Sequence, residues 1–347
     1  MANTITGWDI GGAHLKVACI DAAGRLLYVE QFATPLWRGD DELDRILSGV
    51  RELLGGGASR HVVTMTAELA DCFRDRRDGV NRILAYFSRH FPAEDIRVYA
   101  GEAGLVGVEQ ADELFEHIAS ANWLATAEYL AGFYRDGLLL DIGSTTTDII
   151  PFAAGRPVHT GKTDHRRLQT GELVYTGIVR TPVMAIVGKV PFRGVWQGVA
   201  AEHFAVMADV YRITGRLQEQ HDLQETADGA GKSVADSIRR LARMLGLDAD
   251  DTIPREEWTA LAQYIAEQQR MMISEAIEQI TAGFDKPLPV FIGAGCGRFL
   301  LPVLAQDADC RVEDFAAHLE TGPSLHDKAG DNATAVSVAR LAFMEQS

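Results

Sequence analysis

Two stretches of the chain carry the same short order of residues: an apolar strand, Asp-Ile-Gly, a turn of small residues and a second strand. They read Asp9-Ile10-Gly11-Gly12-Ala13-His14 and Asp141-Ile142-Gly143-Ser144-Thr145-Thr146. A glycine directly after a strand lets the backbone turn tightly and approach a ligand closely. Backbone N–H groups and the hydroxyls of Ser144, Thr145 and Thr146 can then donate to phosphate oxygens. The aspartate ahead of each glycine suits a divalent cation, held directly or through water. Two such hairpins facing each other would form a clamp for a polyphosphate. Asp9, Asp141 and Asp148 are the candidate metal ligands, and Lys16, two residues beyond His14 on the expected strand, faces the same side as that histidine. A third glycine turn, Val290-Phe291-Ile292-Gly293-Ala294-Gly295, follows another apolar strand.

The elements needed to hold these turns can be read from apolar spacing. Ile5–Ile10, Leu15–Ile20 and Leu26–Phe32 predict a β-meander, and Asp40–Leu54 has helical spacing stopped by Gly55-Gly56-Gly57. His61–Thr66 and Ile96–Ala100 predict strands, and Val80–His90 and Ser120–Tyr134 predict helices. The pattern then restarts with strands at Leu138–Asp141 and Thr145–Phe152 and strand-like pieces over Leu173–Val179. Helices are expected near Val199–Arg212, Val234–Leu245, Glu256–Ala282 and Ala333–Phe343, with a strand at Leu288–Ile292. The polar stretch Gln218–Gly231 reads as a mobile loop, and Asp331-Asn332 as the N-cap of the last helix. A duplicated beginning implies two related lobes. The expectation is an α/β chain with lobe I at residues 1–135 plus 331–347, lobe II at 136–330, and a central cleft between them.

The order of the three glycine turns resembles the actin/Hsp70/sugar-kinase superfamily, whose fold is the two-lobed actin-like ATPase (ribonuclease H-like) α/β architecture. Its phosphate hairpins match Asp9–Lys16 and Asp141–Asp148, and its adenosine strand and turn match Phe291–Gly295. Two departures weigh against ATP: Ala13 stands where many members carry a hydroxyl, and Gly293-Ala294-Gly295 stands where ATP binders have adjacent glycines. More closely, GWDIGGAHLK, TMTAELADCF, SANWLATA, LLLDIGSTTTDIIP, GELVYTGIVRTPV and GDNATAVSVA resemble one branch of the hydantoinase/oxoprolinase-related group. This is the tetrahydromethanopterin-linked one-carbon-transfer branch, which includes the archaeal methanofuran-biosynthesis synthases and has relatives in bacteria that oxidise one-carbon compounds.

That resemblance implies a transferase. It would join an aminomethylfuran-methyl diphosphate to the phenol oxygen of γ-glutamyl-tyramine, or of tyramine itself, and release pyrophosphate. It makes Asp9, Lys16 and Asp141 the reactive set, with Mg²⁺ as the expected cofactor. Gly11, Gly12, Gly143, Ser144, Thr145, Thr146, Gly293 and Gly295 become the diphosphate site. Arg166, Glu172, Arg180 and Trp196, the last paired with Phe192, become candidate contacts for a glutamylated phenol acceptor. Two other readings stay open: an ATP-dependent kinase or hydantoinase/oxoprolinase-type enzyme, and a non-enzymatic nucleotide-binding partner of one-carbon metabolism. Glu68, at an expected strand end, fits either a cleft-facing or a helix-capping role, and His14 either a phosphate contact or a structural one.

Composition narrows the classes. The 347 residues carry 33 Lys and Arg against 49 Asp and Glu, a net charge of −16, which excludes a general nucleic-acid binder. Hydrophobic residues at 47% and charged ones at 24% are globular usage, not disorder. The four cysteines (Cys19, Cys72, Cys296, Cys310) form no CxxC pair, and no basic leader or apolar run of membrane length is visible. A cytoplasmic protein is expected, with small-molecule partners, no membrane and no nucleic acid; a homo-oligomer stays open. Gly229-Ala230-Gly231-Lys232-Ser233 lacks the first P-loop glycine, and Gly293–Arg298 lacks the last glycine of a dinucleotide fingerprint.

Overall fold

The computed structural model describes residues 4–55, 60–92, 95–250, 252–306, 308 and 310–346. Contacts divide the chain into one unit of residues 1–139, 150–166 and 313–347 and a second of residues 140–149 and 167–312. Residues 150–166 and 313–330 therefore group with the first unit.

The first unit begins with β1 (Ile5–Ile10), β2 (His14–Ile20), β3 (Leu26–Ala33), α1 (Asp41–Leu54), β4 (Arg60–Met65), α2 (Arg76–His90), β5 (Asp95–Tyr99) and β6 (Leu105–Gly107). The short α3 (Phe115–Ile118) and α4 (Asn122–Ala131) follow. The sheet order is β3-β2-β1-β4-β5-β6. The meander pairs antiparallel, and α1 and α2 return the chain so that β4 and β5 join in parallel. All six residues of β1 are buried, as a central strand covered on both faces must be. On one face Trp8 donates from its indole N–H to His61 Nδ1 at 3.0 Å and packs edge-on against Phe87. Leu43, Leu47, Ile83 and Leu84 of the two crossover helices fill the same layer. α1 ends at Gly55, which is left-handed at φ 66°; Gly56 and Gly57 lie outside the described residues.

The chain continues through β7 (Gly137–Ile142), β8 (Thr147–Ala153), β9 (Arg156–Pro157), α5 (Asp164–Thr170), β10 (Leu173–Val174), β11 (Lys189–Phe192) and β12 (Val195–Gly198). Then come α6 (Met207–Ile213), α7 (Val234–Met244), α8 (Arg255–Thr281), β13 (Val290–Ala294), α9 (Leu301–Leu304), β14 (Arg311–Asp314), α10 (Pro323–Asp331) and α11 (Ala333–Met344). The second sheet runs β10-β8-β7-β13-β14 with β9 on β8, and β11–β12 is a separate hairpin. No helix among the described residues is long and apolar enough to cross a membrane.

α11 covers the other face of β1. A Cβ on Gly7 would sit 2.0 Å from the Ala335 carbonyl oxygen, so strand and helix touch backbone to backbone. Asn332 is the N-cap position of this helix, as expected, but its side chain makes no capping hydrogen bond. Asp331 and Asn332 also end α10, and the Asn332 amide donates back to the Lys328 carbonyl at 2.8 Å.

Two other expectations change. The helix foreseen from Val199 begins only at Met207, because the backbone before it is used elsewhere: Ala200 N–H donates to Met244, Val183 N–H to Ala205, and Met207 N–H to Thr181. The stretch 218–231 is not loose. Arg240, fully buried, joins Asp209 at 2.7 Å and Asp228 at 3.0 Å. Arg243 also reaches Asp228, and Arg212 and Lys232 hold Asp222.

Candidate active site

The first hairpin lies in the first unit. Gly11 N–H donates to the His14 carbonyl at 2.9 Å and closes the turn. Gly12 and Ala13 carbonyls accept from Leu36 and Thr34, so the chain after β3 straps the turn from outside. A Cβ on Gly12 would have no neighbour within 4 Å, so this side of the turn is open. Asp9 is buried and stands opposite Lys16 on β2 and Thr64 on β4. By the period of two it shares Gly7's face of the sheet, the one α11 covers. Lys16 is half-buried and His14 buried on the same side. Asn122, the first residue of α4, donates from Nδ2 to Asp9 Oδ1 at 3.5 Å.

Beside this hairpin is a carboxyl whose setting the sequence did not reveal. Glu68 occupies a single tight turn, Ala67–Leu69, just after β4. It is 1% exposed, and Gly79 of α2 packs against its backbone. The Ser120 hydroxyl donates to its Oε1 at 2.8 Å, while Oε2 finds no partner among the described residues. Burial is the main cause that pushes the Glu68 carboxyl up to about 7; the Ser120 bond and Arg76 oppose this, and Asp164 adds to it. Ser120 itself is left-handed, at φ 53°. A serine there costs about 1–2 kcal/mol and an unpaired buried oxygen about 1–3 kcal/mol, so both ends of this bond are locally unfavourable. The left-handed turn is also why α4 starts at Asn122 and not at Ser120. The segment 119–122 therefore joins three things: Ala119 bridges Met65, Ser120 meets Glu68, and Asn122 meets Asp9.

The second hairpin lies in the second unit. Gly143 N–H donates to Thr146 at 2.8 Å. The turn rests on the irregular segment after β10: Ile178 N–H donates to Gly143, and Val179 and Arg180 N–H both donate to Ser144. Gly177 permits this contact, since a Cβ there would lie 2.4 Å from Thr145 N and 2.6 Å from Gly143 O. Beneath it, Gln269 of α8 donates to Thr176 Oγ1 at 2.7 Å and to the Gly177 carbonyl at 2.8 Å, and accepts from Tyr211. Arg180 Nη1 reaches Thr145 Oγ1 at 3.4 Å, and burial pulls its guanidinium below the usual pKa.

The third glycine turn braces the same hairpin. Gly295 is left-handed, and a Cβ on it would lie 2.5 Å from Asp141 Oδ1 and 2.4 Å from the Ile142 carbonyl. Gly297 N–H donates to that carbonyl at 2.7 Å. Gly293 lies in β13 against Leu301. Asp148 is engaged by Arg167, which is 1% exposed and bonds it at 2.6 Å while holding the Glu172 carbonyl at 3.0 Å.

The expected acceptor contacts fall in both units. Glu172 is buried and Arg180 lies on the second hairpin, both in the second unit. Arg166 is exposed on α5 and groups with the first unit. Trp196 is 66% exposed with its ring edge-on to Tyr264, whereas Phe192 turns inward onto Trp258, so the two rings do not form a pair. Among the described residues no group of three or more His, Cys, Asp or Glu side chains could hold a metal ion.

Residues 60–321 match the family model described as hydantoinase/oxoprolinase. The chain belongs to the hydantoinase/oxoprolinase family. Within it, a relative from Methanocaldococcus jannaschii is 32% identical over 292 residues, covering 84% of this chain and 86% of that one. It is named (4-{4-[2-(gamma-L-glutamylamino)ethyl]phenoxymethyl}furan-2-yl)methanamine synthase. A protein of the same name from Methanococcus vannielii is 32% identical over 130 residues, 38% of this chain and 58% of that one. This family member thus sits with the relatives its motif blocks led us to expect. Among solved structures, nucleotide-free acetone carboxylase aligns with a TM-score of 0.57 at 12% identity over 98% of this chain and 70% of that one. That likeness carries the fold: an α/β, actin-like ATPase architecture with mixed sheets.

Proposed function

We propose that this hydantoinase/oxoprolinase-family chain is a synthase of methanofuran-type cofactor biosynthesis. It transfers an aminomethylfuran-methyl group from its diphosphate to the phenol oxygen of tyramine or γ-glutamyl-tyramine and releases pyrophosphate. The observation that carries this reading is the likeness to the Methanocaldococcus jannaschii synthase over most of both chains. Both glycine hairpins support it, because a departing diphosphate needs fixed donors and cations.

A furfuryl-type diphosphate ionises readily, since the ring oxygen stabilises the cation that develops at the methylene carbon. The protein's task is then to stabilise the leaving diphosphate. The backbone at Gly12, on the open side of the first turn, the Lys16 ammonium, and the hydroxyls and N–H groups of Ser144, Thr145 and Thr146 suit that task. Arg180 was read from the sequence as an acceptor contact. Its reach to Thr145 suits a diphosphate oxygen better.

Mg²⁺ is compatible with this donor set. It is commonly held by one or two carboxylates plus substrate phosphates, and not by an all-protein cage. Asp9 and Asp141, each at the head of a glycine turn, would hold it, and it would add positive charge at the leaving group. Asp148 is less suited, being committed to Arg167.

The test is a mass-spectrometric assay of purified protein with the furan diphosphate, Mg²⁺ and either tyramine or γ-glutamyl-tyramine, without ATP. An ether product with one pyrophosphate per turnover is expected. No product without ATP, together with ATP consumption once it is added, would overturn the reading in favour of an ATP-using member of the fold.

A further inference from the structure

The proposed transfer needs a group that takes the phenol proton. Lys16 is positively charged, and Asp9 is assigned to the leaving group. Glu68 lies next to the first hairpin and is engaged by neither role. Three observations converge on it: it is 1% exposed, its Oε2 has no partner among the described residues, and its Oε1 accepts from Ser120. Ser120 is in turn held left-handed, two residues before the Asn122 that touches Asp9. Buried groups left unsatisfied and backbone held off its preferred region collect at reacting centres, where the rest of the fold sustains them.

We infer that Ser120 and Glu68 form the proton relay of the acceptor site, with Ser120 meeting the phenol and Glu68 receiving the proton through it. This rests on the proposed alkyl transfer. The phenol O–H bond breaks as the new C–O bond forms at the methylene carbon. The electron pair of the broken carbon–diphosphate bond leaves with pyrophosphate. The phenol proton passes to Ser120 Oγ while the serine's own proton moves to Glu68 Oε1, and Glu68 returns it to water when the products depart. The group is suited to this because burial holds its carboxyl up to about 7, so the charged form is available near neutrality yet accepts a proton readily. The charged groups that bear on it are Arg76 at the start of α2 and Asp164 at the start of α5, of opposite sign, with Ser120 bonding it directly. Glu68 acts through Ser120, so it is a positioning and proton-receiving residue.

The experiment compares the parent protein with Glu68→Gln, Ser120→Gly and Ser120→Ala in the ATP-free ether assay across pH. Glycine accepts the left-handed conformation, so in Ser120→Gly the relief of about 1–2 kcal/mol of backbone strain roughly offsets the lost bond to Glu68, and its melting temperature should stay close to the parent's. Glu68→Gln keeps the shape. The relay requires kcat to fall about 100-fold in Glu68→Gln and at least about 10-fold in both serine variants, with KM for the diphosphate unchanged. It also requires the parent's rate to rise with pH through an inflection near 7 that Glu68→Gln lacks. An active parent whose Glu68→Gln variant folds and keeps both rate and pH profile overturns the relay and leaves the alkyl transfer standing. A parent that makes no ether under any condition overturns both.

Discussion

Replacing Gly177 with alanine puts a methyl group into the backbone of the second hairpin. The new carbon would lie 2.4 Å from Thr145 N, 2.5 Å from Ser144 C and 2.6 Å from Gly143 O, where ordinary contact begins at 3.4 Å. The obstructing atoms are main chain, so no side chain can swing aside, and the hairpin and segment 176–180 must part by about 1 Å. Parting them weakens three hydrogen bonds, from Ile178, Val179 and Arg180 to Gly143 and Ser144. At about 0.5–1.5 kcal/mol each, with some residual strain, the second unit should lose about 2–4 kcal/mol. A shift of this size at donors that must meet a developing charge should lower kcat about 100-fold. Gly12→Ala is the matched comparison, because its new carbon meets nothing within 4 Å; its stability should stay within about 0.5 kcal/mol of the parent. Urea denaturation and single-turnover rates measured side by side test both. A Gly177→Ala protein as stable and as fast as the parent would refute the claim that this contact sets the hairpin.

Other changes have definite expected outcomes. Asp9→Asn and Asp141→Asn should each abolish ether formation while leaving the circular dichroism spectrum intact; near-normal turnover in either would remove that carboxylate from the site. Glu68 gives a pH signature in stability. Its folded carboxyl sits at about 7 against the usual 4.5, so the folded state binds this proton more tightly and stability falls as pH rises between those values. The loss is about 3 kcal/mol, and Glu68→Gln should therefore gain that much on the parent between about pH 4.5 and about pH 8, whereas parallel stability curves would contradict the assignment. Arg167→Met removes the cation that holds Asp148 and the Glu172 carbonyl, and should cost about 3 kcal/mol; adding Asp148→Asn should recover part of it in a double-mutant cycle.

The hairpins were legible because an apolar run ended by Asp-Ile-Gly is a local pattern, and the strands before each turn fall within a residue or two of their expected limits. What was not legible depends on partners far along the chain. Ser120 is 52 residues from Glu68, and Gln269 is 92 from Gly177; no spacing rule connects them. Hints of Gly177's role lay only in its block, GELVYTGIVRTPV, where a glycine interrupts a strand-like run. The β11–β12 hairpin escaped because its turn is Arg193-Gly194, both left-handed, with Pro191 inside the strand, and neither residue choice is a strong hairpin signal. Arg167 sat within a charged run that resembles a solvated face, yet it is buried against Asp148, while its neighbour Arg166 is exposed.

The backbone-to-backbone seam between Gly7 and Ala335 sets an order of events during synthesis. β1 leaves the ribosome well before the helix that covers one of its faces, residues 333–344, which is made only after the whole second unit. At about 5–20 residues per second, that face waits some tens of seconds for its cover. The nascent sheet is meanwhile a sticky, half-finished layer, and the first unit cannot lock until the ribosome has passed α11. A circular permutant that places α11 ahead of β1 would let that unit close early, and it should reach its native state in cell-free translation with less aggregation than the natural order.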